Sequence, residues 1–528
     1  MPIRARLLPG LRPLCTAALG VLFAVAARAQ DAAAPAPHPT DVVWLHMNDF
    51  HGQFRPQLAF WKARAAGDRR ELPQVGGAAA LAGYVQRARV EAAAKGQRLV
   101  LSDAGDWYQG TIEGNETKGR LSIAFLARLG VEVAALGNHE YDFGPENVQA
   151  LCKLAPFPVL AANVVRAGAP ERQPVDYVRP FAVVDVGGVR VAVIGLVTEQ
   201  TKTVSTGPWG DAEFEAEAAA LQATLPAAKA ASDVTVLLTH CGVEVDRELA
   251  KQFPEIGLIL GGHSHTGLKE PMRVGRTWIV QTHGKASEIY RLEGRADAAA
   301  KTLEWTGGGL VELDLEQHPA DGATADWIAE QTADISARWD RVIGTLETSL
   351  DDDRGARSTA AGNLVCDAFR EFAKADLAFT NKGGLRTRLM AGPLTPRMLY
   401  ELLPFENDVM CVELTGAQLR GILTAAIANG RRPLEIGGGT YTYAVAGKER
   451  VLRAVTVGGE PLDDVKTYRV ATSSFLARGG DGLDGFAAGK ATDLGVLLRD
   501  VLIQKAERDK KLSASAENRI LFERDKDD

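Results

Sequence analysis

The sequence predicts an α/β layered domain followed by a second, α+β domain, and three observations carry that expectation. Between about Asp41 and Val311, short β-branched runs alternate with Ala-rich helical stretches, the pattern of a sheet buried on both faces. A run at helical spacing, ADWIAEQTADISARW, then separates two regions of different composition. The length, 528 residues, fits two to four domains at about 150 residues each.

Taken in order, the strands of the first region are VVWLH, RLVLSD, VEVAALG, PVLAANV, VRVAVIGL, VTVLLTH, IGLILGG and TWIVQTH, with helices over about 77 to 95 and near 120 to 129. Several of these strands end in polar clusters, where a rigid sheet presents its chemistry. This region is placed at 41–320 and a linker helix at 321–345. The second domain, 346–525, has a helix over 361 to 375. Its strands are DLAFTN, VMCVELT and YRVATSSFL, followed by a Gly-rich RGGDGLDGF.

The N-terminus reads as an export signal over residues 1–29: Arg4, Arg6 and Arg12, an apolar stretch from Cys15 to Ala27, then Ala27-Arg28-Ala29. The apolar stretch is shorter than the roughly 20 residues of a spanning helix, so the expectation is cleavage after Ala29, a flexible start at 30–40, and a periplasmic or secreted protein without stable membrane insertion. Four cysteines remain, Cys152, Cys241, Cys366 and Cys411, with no CxxC spacing; they read as sparse buried thiols. A formal net charge of −7 provides no global field to recruit a nucleic acid polymer or an anionic membrane. The sequence leaves monomer and dimer open.

Six of the nine histidines, His46, His51, His139, His240, His263 and His265, stand at or beside predicted strand ends. Their clusters are LHMNDFHG with Asp49, LGNHEYDFG with Asn138 and Asp142, LLTHCG and GGHSHT; a fifth cluster, SDAGDWYQG, adds Asp106. Asp49 and His51 are two apart at a strand end, a spacing that lets both side chains project the same way, and His263 and His265 repeat it. Mixed imidazole, carboxylate and amide donors suit zinc, manganese or cobalt, whereas calcium takes oxygen alone. Any one cluster alone reads more often as a turn or a buried hydrogen bond than as a metal ligand. Five together predict two divalent ions, with a carboxylate such as Asp106 bridging them for attack on phosphorus.

The ordered motifs DFHG, GDWYQG, GNHEYD, THCG and GGHSHT resemble the calcineurin-like metallophosphoesterases. AGNLVCDAFR, FTNKGGLR, PFEN and GGDG resemble, again in order, the C-terminal domain of the 5'-nucleotidase family, similar to bacterial periplasmic 5'-nucleotidase/UDP-sugar hydrolases. The resemblance implies a four-layered α-β-β-α metallophosphoesterase domain and a substrate-binding domain joined by the linker helix. It implies that Asp49, His51, Asp106 and His265 hold one metal, and that Asp106, Asn138, His240 and His263 hold the other. His139 and Asp142 become the catalytic pair, beside a water nucleophile on the metals. Arg357, Asn381 and Arg386 fall to the phosphate or ribose, with Arg354 as a substitute for Arg357, Phe405 and Asn407 contact the base, and Asp481 joins the substrate-binding set. Leu483 follows GGDG where the family usually places a second aromatic, with Phe486 three residues on; the missing ring is expected to weaken base affinity.

The function implied is hydrolysis of nucleoside 5'-phosphates, extending to UDP-sugars and nucleoside di- or triphosphates, in nucleotide catabolism. A 2',3'-cyclic-nucleotide phosphodiesterase/3'-nucleotidase and a thiosulfate-ester hydrolase share the same metal core and stay open. A nucleotide-binding protein without turnover is the non-enzymatic alternative.

Overall fold

Two six-stranded sheets organise the first half of the chain. Along the first the order is Thr302–Glu312, Glu288–Asp297, Thr40–Met47, Arg98–Asp103, Val133–Ala135 and Val159–Leu160. Along the second it is Met272–Val274, Thr277–Val280, Leu258–Leu260, Val234–His240, Val189–Val197 and Phe181–Val186. The last four strands of the first sheet and the middle four of the second run parallel, and antiparallel strands complete each sheet. The computed structural model describes residues 39–59, 73–169, 171–351, 355–428, 433–446 and 449–524. The expected leader and Arg354 lie outside the described residues.

Alternation along each strand divides the core into layers. Val42, Trp44 and Val100 of the first sheet meet Val191, Val193 and Val236 of the second. Their neighbours Val43, Leu45 and Leu101 face the other way, onto Leu81 and Val85 of helix Ala78–Ala94 and Phe125 and Leu126 of helix Arg120–Leu129. Beyond the second sheet, Ile194, Leu237 and Ile259 pack on helices Glu217–Ala231 and Val243–Gln252 through Leu221 and Leu249. The order is helix, sheet, sheet, helix, the four layers the resemblance implies.

The connecting segment forms two helices, Gly322–Gln331 and Ala333–Trp339, rather than one. The break falls at Thr332, whose hydroxyl donates to the Ile328 carbonyl at 2.8 Å, competing with continuation of the helix. Beyond it, a five-stranded mixed sheet runs Glu435–Gly437, Leu377–Thr380, Thr467–Ser473, Asp408–Thr415 and Lys490–Leu497. Helix Ala360–Ala373 starts at Thr359, whose hydroxyl accepts from the Gly362 amide, and buries Leu364, Val365 and Phe369. A further sheet, Glu460–Pro461, Glu449–Val457, Gly439–Ala446 and Ile520–Arg524, flanks this core. All four described cysteines are free thiols, Cys152 partly exposed and the others buried. Among the described residues no helix is long and apolar enough to cross a membrane.

Candidate active site

The metal-ligand candidates sit at the C-terminal ends of parallel strands, where open α/β sheets hold ligands. Asp49 and His51 follow Thr40–Met47, Asp106 follows Arg98–Asp103, Asn138 and His139 follow Val133–Ala135, His240 ends its own strand, and His263 and His265 follow Leu258–Leu260. Strand alternation is not what aims them. Asp49, His51, Asp106, His263 and His265 all have φ between 50° and 78°, the left-handed region, which costs an L-residue roughly 1–2 kcal/mol. For these five the strand has ended before the side chain begins and the reversed backbone turns it inward, whereas His240 is the last residue of its strand and Asn138 has ordinary right-handed backbone.

Buried polar contacts hold these loops. The Glu140 carboxylate accepts from the amides of Asp106, Trp107 and Gly137 at 3.0, 2.7 and 2.7 Å. Gln281 accepts from Ser264 Oγ and the Thr266 amide and donates to the Gly262 carbonyl, fixing the GGHSHT loop. Asn48 Nδ2 donates to Asp49 Oδ2 at 2.6 Å. Sequence reasoning assigned none of these three, although Glu140 lies inside a motif it quoted.

The side chains converge. Asp49 Oδ1 lies 3.2 Å from His265 Nε2, 3.7 Å from His51 Nε2 and 3.9 Å from His240 Nε2. Asp106 Oδ2 lies 3.2 Å from His240 Nε2 and 3.7 Å from His51 Nε2. Asn138 Oδ1 is 3.1 Å from His240 Nε2, and the His240 and His263 rings are 5.1 Å apart. Two groups are close enough for one ion each: Asp49, His51 and His265, and Asp49, Asp106 and His240. Asp49 thus belongs to both groups, while Asp106, expected to be the shared carboxylate, belongs to the second and lies 3.7 Å from His51 of the first.

The donor set fits divalent cations on three counts. Asp49 Oδ1 is buried with no hydrogen-bond partner, so a carboxylate oxygen faces the cluster unsatisfied. His51 Nδ1 meets the Gln109 carbonyl at 2.5 Å and His240 Nδ1 meets the Ala104 carbonyl at 2.7 Å, which fixes the tautomer and turns Nε2 inward. The electrostatics also call for positive charge. Burial opposes a proton on His240, yet Asp106 and Asp49 outweigh it and raise the group to about 10. Burial lowers His263 to about 4 and holds His51 well below its usual range, so these rings are neutral donors.

His139 stands beside this cluster. Its Nδ1 is 2.7 Å from Asp142 Oδ2, and Asp142 Oδ1 accepts from the Thr206 amide at 2.9 Å. Burial pushes the imidazole down, but the charges of Asp142 and Asp106 prevail and raise it. The ring borders a cavity of about 390 Å³ shared with Asp106, Asn138, His263 and His265.

The opposite wall of that cavity comes from the second domain: Asn381, Arg386, Phe405, Asn407, Phe475 and Asp481. Phe405 lies 5.9 Å from the His139 ring, and the Arg386 guanidinium 5.7 Å from the Phe405 ring. Asn381 Nδ2 donates to Asp481 Oδ2 at 2.7 Å. Asn407 reaches the wall, but its Oδ1 accepts from Ser474 Oγ and the Phe475 amide, so it also positions Phe475. Arg357 is not brought to the cavity.

A second aromatic ring borders the cavity, although neither Leu483 nor Phe486 supplies it. Leu483 is buried in the domain core, and Phe486, fully buried, packs edge-on against Phe379 at 6.2 Å; neither borders the cavity. The second ring is Phe475, six residues before Asp481. It stands at the end of strand Thr467–Ser473, and Gly480 leaves it room: a Cβ there would lie 2.5 Å from the ring. The signal was present in SSFLARGGDG, an aromatic just past a strand.

Known proteins share this two-domain fold. The calcineurin-like phosphoesterase model matches residues 44–267 and the 5'-nucleotidase C-terminal domain model matches residues 342–488. YfkN of Bacillus subtilis, a trifunctional nucleotide phosphoesterase, is 28% identical over 483 residues; these span 80% of this chain and 32% of YfkN, so the chain covers about a third of that relative. Protein UshA of Yersinia enterocolitica is 27% identical over 534 residues, 90% of this chain and 92% of UshA. The structure of a 5'-nucleotidase precursor from Thermus thermophilus superposes with a TM-score of 0.82 at 28% identity, covering 91% of this chain and 99% of that one. With both domain models matched in order over one continuous fold, the chain belongs to the 5'-nucleotidase family, a calcineurin-like phosphoesterase domain followed by a 5'-nucleotidase C-terminal domain.

Proposed function

We propose that this chain is an exported, metal-dependent 5'-nucleotidase that hydrolyses nucleoside 5'-monophosphates, with di- and triphosphates and UDP-sugars as further substrates. The observation that carries the reading is a single cavity with metal-ligating groups on one wall and two phenylalanines, an amide pair and an arginine on the other. Asp49, His51, Asp106, Asn138, His240, His263 and His265 would hold two divalent ions, with zinc, manganese and cobalt suiting the donors. When bound, such ions supply a water nucleophile of lowered pKa and positive charge opposite the phosphoryl oxygens.

The remaining work falls to the chain's own side chains. Phe405 and Phe475 take the base between them, stacking being worth roughly 1–3 kcal/mol per base. Asn381 and Asp481, hydrogen-bonded to each other, present polar groups to the ribose. Arg386 offers a planar fork to the phosphate. With Nδ1 held by Asp142, His139 directs Nε2 at the reacting group and, being biased toward its protonated form, donates a hydrogen bond to the phosphoryl or leaving oxygen. The balance is simple: water oxygen bonds to phosphorus, the phosphorus to O5' bond breaks, and the nucleoside leaves with a proton while phosphate remains.

The test is phosphate release by the metal-stripped chain given back zinc, manganese or cobalt, on AMP, UDP-glucose, 2',3'-cyclic AMP and a thiosulfate-type ester. Release from AMP is expected to be fastest. No release from AMP with any of the three ions overturns the reading.

A further inference from the structure

The loop that follows strand Val189–Val197 holds none of the seven metal-ligand candidates, yet Val204, Ser205 and Thr206 bring it to the substrate cavity. Buried hydrogen bonds shape it. The Thr198 amide donates to the His240 carbonyl at 2.9 Å, which ties the loop to the neighbouring strand end. Thr201, fully buried, donates its hydroxyl to the Thr198 carbonyl at 2.7 Å. Ser205 Oγ donates to the Thr201 carbonyl at 2.6 Å and accepts from Trp209 Nε1 at 2.9 Å. The short helix Thr201–Val204 lies against Gly480–Gly482 of the second domain, the segment that carries Asp481. The loop is thus held from both walls of the cavity.

Thr206 is the informative residue. Its amide and its hydroxyl both donate to Asp142 Oδ1, at 2.9 and 3.1 Å, while Asp142 Oδ2 lies 2.7 Å from His139 Nδ1. A carboxylate bonded through one oxygen alone pivots about its Cβ–Cγ bond. Two donors on the far oxygen set its plane, and hydrogen bonds to a carboxylate are among the stronger kind. The Asp142 side chain is 7% exposed, so bulk water is poorly placed to replace a lost donor. The amide half of this clamp exists whatever residue stands at 206; the hydroxyl half depends on the side chain. The hydroxyl's single proton is committed to Asp142, so it is not left to donate to a ligand in the cavity.

We propose that Thr206 is a positioning residue of the catalytic pair: its hydroxyl fixes the plane of the Asp142 carboxylate, and through it the aim of His139, without touching substrate. A catalytic group misplaced by about 1 Å costs up to about 10²-fold in rate while binding is kept, the signature of a residue that acts through another. That His139 acts on a phosphoryl or leaving oxygen rests on the proposed function; the clamp on Asp142 stands on its own hydrogen bonds.

Two substitutions test it on the full chain: Thr206→Val keeps the shape and removes the hydroxyl, and Thr206→Ser keeps the hydroxyl. With metal bound, Thr206→Val should lower kcat about tenfold on both AMP and ribose 5-phosphate, which shares the leaving alcohol and has no base. KM and metal content should be unchanged, and Thr206→Ser should stay within about twofold of the wild type. In an Asp142→Ala background, Thr206→Val should have no further effect, because the group it acts through is gone. Crystal structures of the metal-stripped chain give a readout apart from activity: the Asp142–His139 bond should lengthen beyond about 3.2 Å, or the carboxylate turn, in Thr206→Val and not in Thr206→Ser. Wild-type kcat in Thr206→Val overturns the proposal, as does a rise in KM for AMP alone, which would make Thr206 a base or ribose contact. So does an equal loss in the Asp142→Ala background, an undisturbed Asp142–His139 pair in Thr206→Val, or a Thr206→Ser chain as impaired as Thr206→Val. A pair disturbed by Thr206→Val, in a chain whose wild type hydrolyses neither substrate, would instead keep the clamp and overturn the nucleotidase reading.

Discussion

Among the metal-ligand candidates, Asp49, His51, Asp106 and His240 are at most 2% exposed and buried hydrogen bonds hold the loops that carry them, while His263 and His265, which border the substrate cavity with Asp106, are partly buried. On the opposite wall Asn381, Arg386, Phe405 and Phe475 are only partly buried, and Asp481 is exposed. One wall is over-determined and the other is held by a few contacts between neighbouring loops. Under the proposed assignment, moving a metal ligand would mean breaking a buried network, whereas moving a base contact would mean repacking a rim, so the chemistry would be rigidly set and the choice of nucleoside would rest on a handful of adaptable side chains.

The comparison can be broken most directly at Asp106. Asp106→Asn should lower turnover by roughly 10³-fold and reduce metal content by elemental analysis, since the carboxylate reaches the donors of both metal groups. A variant that keeps two metals and wild-type turnover would mean that the metal wall does not depend on it.

Next comes His139→Ala, expected to reduce kcat by about 10²–10⁴-fold with metal content and KM nearly unchanged. Loss of metal with intact turnover would move His139 into the ligand set. Phe475→Ala sharpens the contrast between walls: the KM for AMP should rise about 5- to 100-fold, the equivalent of one lost stacking contact, while turnover of p-nitrophenyl phosphate stays unchanged. Leu483→Ala should do the opposite, lowering stability by about 2–5 kcal/mol through a core cavity and leaving the KM alone. Equal effects of the two substitutions on KM would return Leu483 to the pocket.

The smallest effect is expected beneath the metal wall, at Asp246, whose Oδ1 accepts from Thr239 Oγ1 at 2.7 Å and whose Oδ2 has no partner. Burial raises this carboxyl from 3.8 to about 7. Its folded value lies above the unfolded one, so the folded state binds the extra proton between them and stability falls as pH rises through that window. Asp246→Asn should melt several degrees above the wild type beyond pH 7, with the advantage shrinking toward pH 4. Parallel melting curves for the two chains across that range would sink the assignment.

The sequence made the parallel strands of the first domain legible because their signals were local, while the antiparallel strands Phe181–Val186, Met272–Val274, Glu288–Asp297 and Thr302–Glu312 were not among those it named. Buried parallel strands read as continuous apolar runs, and each was punctuated by a polar motif where it ended. The seven ligand candidates followed, yet the alternation invoked to aim Asp49 with His51 and His263 with His265 was wrong; left-handed backbone at a non-glycine residue leaves no mark in composition. Glu140 and Gln281 escaped notice because their roles lie in hydrogen bonds between loops, to residues 33 or 34 positions away for Glu140 and 15 for Gln281. In the second domain, the rings flanking the cavity come from separate strand ends, at Phe405 and Phe475. Which phenylalanine of SSFLARGGDGLDGF faces outward was decided by packing against Phe379, a contact between residues 107 positions apart in sequence for Phe486 (486 − 379). The break at Thr332 likewise depends on a side chain choosing its own helix's carbonyl over solvent.

The left-handed ligands have a consequence for substitution. At Asp49, His51, Asp106, His263 and His265 the backbone would be more comfortable as glycine, by about 1 kcal/mol or more at each position. Under the proposed assignment, glycine at any of these sites would relieve the local backbone cost while removing a metal ligand, and the cavity and lost loop hydrogen bonds it leaves at a buried position such as Asp49 or Asp106 oppose that relief, so the strained conformation is retained by its surroundings.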